Sequence, residues 1–153
     1  MMQAPPPRQF LLTRLRQGLV YAAGLGLWLS GAAWLLLHYF AVRQTEFGPA
    51  PHPFEHWSLA AHALFAFAAI WVFGMLWSAH VTGAWRTGRR RASGIATFAV
   101  MAVLIASGFL LYYVADDEAR AAISLAHWII GLALPIAFLW HRFFSYGTRF
   151  PRS

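Results

Sequence analysis

Four apolar stretches dominate this 153-residue chain: Leu19 to Phe40, Trp57 to His80, Gly94 to Val114 and Ala121 to His141. Each is near the roughly 20 residues a helix needs to cross a hydrocarbon core. With 59% hydrophobic and 11% charged residues, the chain is too apolar for a soluble domain and suits a lipid solvent. The expected fold is an all-α integral membrane protein, an up-down bundle of four transmembrane helices over residues 19–141. Residues 1–18 and 142–153 are then short tails, the first interrupted by Pro5, Pro6 and Pro7.

Arginine placement orients the bundle. All twelve basic residues are Arg. Arg8, Arg14 and Arg16 precede the first span, Arg86, Arg89, Arg90 and Arg91 separate the second from the third, and Arg142, Arg149 and Arg152 follow the fourth. These segments hold no acid, whereas the two remaining loops hold Glu46, Glu55, Asp116, Asp117 and Glu118 with only Arg43 and Arg120. By the positive-inside rule both termini are expected in the cytoplasm. The net charge of +7 is therefore read as topology anchoring beside anionic lipid, not as a nucleic-acid surface. The first span is longer than a signal-peptide core and is expected to remain in the mature chain.

The chain contains no cysteine, which removes disulfides, cysteine-held iron–sulfur clusters and covalent haem attachment through C-x-x-C-H. No phosphate loop, dinucleotide fingerprint or nucleophile elbow occurs either. Any haem must then be held by histidine or methionine.

Two of the histidines lie several residues inside apolar spans, His62 in the second and His127 in the fourth, where an imidazole without a partner is costly. His80 follows His62 by 18 residues, a whole number of helical turns and a rise of about 27 Å. His141 follows His127 by 14 residues, within about 40° of the same face and about 21 Å along the axis. The two helices run parallel if the chain is a duplicated hairpin. The sequence hints at that: Ser30-Gly31 before Leu37-His38-Tyr39 resembles Ser107-Gly108 before Leu111-Tyr112-Tyr113, and Ser58 to His62 echoes Ser124 to His127. A six-coordinate haem iron needs two imidazoles facing across a gap at one depth. His62 with His127 supplies an outer pair, and His80 with His141 an inner pair. The rises differ by about 6 Å, which helix tilt reduces. Arg142 and Arg86 stand where they can pair with propionates on the inner side. Binding of one haem, on His62 and His127, stays open beside two.

This arrangement resembles the transmembrane di-haem cytochrome b superfamily of bacterial respiratory and hydrogenase-type subunits. The likeness covers Leu19 to His141 and rests on Ser-Gly in spans one and three and on the histidine pairs. His127 and His141 keep the histidine spacing of cytochrome b in the quinol–cytochrome c oxidoreductases, while His62 and His80 depart from it. The hydrogenase-associated relatives take a ligand from span one, and Phe10 to Trp28 contains no histidine, which leaves spans two and four as the source. The resemblance implies transmembrane electron transfer through b-type haems in the bacterial cytoplasmic membrane, as a quinone oxidoreductase or a subunit of one. Quinone from the lipid pool, a partner redox protein or subunit and a second copy of the chain are the expected partners. His38, His56 and Glu55 are the candidate proton-exchanging groups for quinone. Two other readings stand beside this one: a haem-free membrane anchor, and a metal-handling protein using His38, His52, His56 and His62.

Overall fold

The protein is described by a computed structural model over residues 14–77, 81–82 and 91–144. Helix α1 spans Arg14–Phe40, a β-hairpin of β1 (Arg43–Thr45) and β2 (Gly48–Ala50) follows, and α2 spans Pro53–Leu76. Helix α3 covers Arg91–Tyr113 and α4 covers Asp117–Leu139, continued by a π-helical turn at Trp140–Phe144. Four helices among the described residues are long and apolar enough to cross a membrane, one at each expected span, residues 78–80 at the end of the second lying outside the described residues. Helix α1 begins at Arg14, inside the stretch read as an N-terminal tail.

The chain divides into two compact units, Met1–Thr87 and Gly88–Ser153. In the first, α1 and α2 form an antiparallel hairpin, for contacts pair His38 with Glu55, Ser30 with His62 and Gly26 with Phe65. In the second, α3 and α4 do the same, with Ser107 against His127 and Ser93 against His141.

Helix ends follow from local sequence. His52 caps α2, its Nδ1 accepting from the Phe54 amide at 3.2 Å, with Pro53 at the first position where no N–H is missed. Asp116 caps α4 by accepting from the Ala119 amide at 2.8 Å, and Asp117 and Glu118 sit where the helix dipole favours anions. The loop between α1 and α2 carries a short antiparallel pairing. Arg43 pairs with Ala50 and Thr45 with Gly48, and Gly48 takes φ +103°, a conformation that Cβ-bearing residues rarely adopt.

Little of either hairpin is buried within itself. Among the described residues the buried apolar side chains are Ala23, Ala69 and Val72, all in the first unit, while large residues such as Phe67 (74% exposed) and Ile136 (71%) face outward. Such surfaces need an apolar solvent or partner. Small residues let the helices approach closely, and a Cβ added at Gly26 would overlap the Phe65 ring.

Candidate functional site: histidines seated on serine–glycine steps

The hydroxyl of Ser30 donates to the Gly26 carbonyl at 2.7 Å, one turn back along α1, and also lies 3.0 Å from the Leu27 carbonyl. Its oxygen faces His62 Nδ1 at 3.4 Å, and the Leu27 carbonyl lies nearer to the same nitrogen, at 3.0 Å. A carbonyl can only accept, so Nδ1 carries the ring proton and the lone pair belongs to Nε2. Directly beside the ring is Gly31. A Cβ there would stand 2.9 Å from His62 Cε1, which no ordinary contact permits.

The second hairpin repeats the arrangement. Ser107 Oγ donates to the Val103 carbonyl at 2.7 Å and faces His127 Nδ1 at 2.8 Å, and a Cβ added at Gly108 would lie 3.4 Å from His127 Cε1. Both rings are half-buried. The Ser-to-His separation is 32 residues in the first hairpin and 20 in the second, and the difference of 12 is taken up mainly by the α1–α2 loop carrying the β-hairpin. The similarity inferred from Ser30-Gly31 and Ser107-Gly108 thus has a structural counterpart: in each hairpin the serine–glycine step of one helix receives the inward histidine of the next.

His141, on the π-helical turn after α4, faces buried Ser93 with Nδ1 to Oγ at 3.1 Å. Ser93 had no assigned role in the sequence reading. Its signal was present: Ser93-Gly94 precedes Ser107-Gly108 by 14 residues, and His141 follows His127 by 14. Equal and opposite steps are what an antiparallel helix pair needs to repeat one contact at two depths, about 21 Å apart. His80 and Arg86 lie outside the described residues. Arg142 is exposed, its guanidinium 5.7 Å from the Phe143 ring centre.

A different cluster occupies the loop end of the first hairpin. His38 Nδ1 and Glu55 Oε1 are 2.7 Å apart, and the His38 ring stacks on Trp34 at 4.6 Å. Trp34, Pro51, His52, Pro53, Glu55, His56 and Leu59 line a shallow open cleft of about 350 Å³. His56 and Glu55 therefore share one cleft, and His38 is tied to it through Glu55. His52 is engaged in capping. His38, His52, His56 and His62 do not converge, and among the described residues no three His, Cys, Asp or Glu side chains gather as a metal site.

Comparison with protein-family models, curated proteins and solved structures gives no match. The functional argument therefore rests on the residues themselves.

Proposed function

We propose that the chain carries electrons across a membrane through b-type haem held by histidines of α2 and α4. The observation that carries this reading is the twice-repeated seat, in which a serine–glycine step of one helix engages Nδ1 of an inward histidine of the next. A metal-ligating histidine commonly has its second ring nitrogen held by such a partner, which sets tautomer and ring direction. The residues present fit haem on that ground: the Leu27 carbonyl puts the His62 lone pair on Nε2, and the glycines leave room at the ring edge. His62 and His127 are the ligands of the outer haem and His141, with His80, those of the inner one, as paired in the sequence. Arg142 and Arg86 are the propionate partners on the inner side.

Haem iron, when bound, supplies one-electron oxidation and reduction. The remaining tasks belong to the chain. Its apolar outer surface keeps the spans in lipid, and its arginine-rich segments hold both termini on the cytoplasmic side of a bacterial inner membrane. The outer cleft provides proton exchange for a quinone headgroup from the lipid pool: the His38–Glu55 pair and His56 accept protons released as quinol is oxidised and return them in the reverse direction. Electrons then pass to or from a partner redox protein or subunit, within a complex or a dimer of this chain.

The test is a dithionite-reduced minus oxidised spectrum of the purified protein, with haem quantified per chain as the pyridine haemochrome. Two b haems are expected, with His127→Ala losing at least one and Glu55→Gln and His56→Ala lowering quinol turnover while haem remains. A protein without haem, after expression with ample haem supply, overturns the proposal and leaves the membrane-anchor reading.

A further inference from the structure

Two of the three serines that face histidines share a feature packing alone does not require. Ser30 and Ser107 already satisfy their hydroxyl protons inside their own helix, by donating one turn back to Gly26 and Val103. That leaves each oxygen as an acceptor. A serine so arranged takes a proton from Nδ1–H without loss but must give up its intrahelical bond to donate to a bare Nδ1, so it favours one of the two neutral tautomers of the ring. Hydrogen bonds inside a low-dielectric bundle strengthen this preference.

We propose that Ser30 and Ser107 are positioning residues that hold His62 and His127 in the Nδ1-protonated form and thereby raise the donor strength of Nε2 toward iron, with Ser93, 3.1 Å from His141 Nδ1, as the corresponding contact at the far end of the second hairpin. The inference rests on the haem reading above but concerns a property the haem-free chain also has. Partial withdrawal of the Nδ1 proton by an acceptor makes the imidazole a stronger electron donor, which favours ferric over ferrous iron and lowers the midpoint potential. The three seats are graded. His127 has a 2.8 Å contact to Ser107, whereas His62 has a 3.4 Å contact to Ser30 and keeps the Leu27 carbonyl at 3.0 Å whatever stands at position 30. Loss of the Ser107 hydroxyl should therefore matter more than loss of the Ser30 hydroxyl. Ser93 and Ser107 sit at opposite ends of one hairpin, so they act on different haems.

The experiment combines redox titration of the haem-loaded protein with nitrogen-15 NMR of the histidine rings in the haem-free protein, on Ser107→Ala, Ser107→Thr, Ser30→Ala and Ser93→Ala. Expected are a positive shift of one midpoint in S107A, its recovery in S107T, a smaller shift in S30A, and a shift of the other midpoint in S93A. In the haem-free chain His127 should be Nδ1-protonated and become a tautomer mixture in S107A. Loss of haem in S107A with retention in S107T also supports the proposal, while equal loss in both overturns it. Unchanged midpoints and tautomers with full haem content overturn it as well, leaving the seats as packing contacts. Absence of haem from the wild-type chain sinks the functional reading alone, and the tautomer measurement still decides the role of the serines.

Discussion

At the scale of single residues, the glycines after the seating serines are not equivalent. Ala gains about 1 kcal/mol over Gly in a helix interior. At Gly31 that gain meets a Cβ only 2.9 Å from His62 Cε1, and the ring is held by the Leu27 carbonyl, so it cannot simply turn away. Overpacking of this kind costs about 1 to 3 kcal/mol. Gly31→Ala should lower resistance to unfolding in mixed micelles and reduce haem content. At Gly108 the corresponding distance is 3.4 Å, a contact that slight adjustment relieves. Gly108→Ala should be close to neutral in the same assay, and equal damage from the two substitutions would contradict the geometry described for the first seat.

At the scale of elements, the caps and the proline in α4 shape where the histidines stand. Asp116 caps the helix that leads through His127 to His141, and its carboxylate satisfies an amide at an exposed helix end. Asp116→Ala should destabilise the second hairpin by about 1 kcal/mol, seen as faster amide hydrogen exchange in the first turns of α4 while α1 and α2 exchange as before. Pro135 has no N–H for the Gly131 carbonyl, and the helix changes to π-helical hydrogen bonding at Trp140, one residue before His141. A π turn advances less than 100° per residue, so the simple count that placed His141 about 40° from the His127 face holds only up to that point. The β-hairpin in the outer loop was missed for a related reason. Proline density signals stiffness, but antiparallel pairing of Arg43–Thr45 with Gly48–Ala50 depends on a two-residue turn and the positive φ of Gly48.

At the scale of the whole molecule, the arginine distribution makes a topological expectation that can be tested. If both termini are cytoplasmic, a reporter active only outside the cytoplasm should work when inserted after Phe47 or Asp116 and fail at either terminus, whereas a reporter that folds only in the cytoplasm should show the reverse. Activity of the first reporter at the C-terminus would refute the arginine-based orientation. The outward faces of all four helices carry large exposed apolar side chains such as Leu36, Phe67, Phe109 and Ile136, so the protein should be extracted only by detergent.

Four spans, their order and the two inward histidines were legible in the amino-acid sequence because each depends on local composition and helical period. Hydrocarbon thickness sets span length, and a polar ring within an apolar run stands out in one dimension. Ser30-Gly31 and Ser107-Gly108 were visible as a repeat, yet their purpose was not, since it depends on which residue of the next helix lies opposite. That register follows from how the hairpins close: a 12-residue loop after α1 and a three-residue loop after α3 bring equivalent serines against equivalent histidines. The tertiary structure alone decided that Leu27 offers its carbonyl to His62 and that Glu55 reaches His38. Each is a contact between helices, set by packing distance and axial stagger, and neither quantity is written in the periodicity of a single helix.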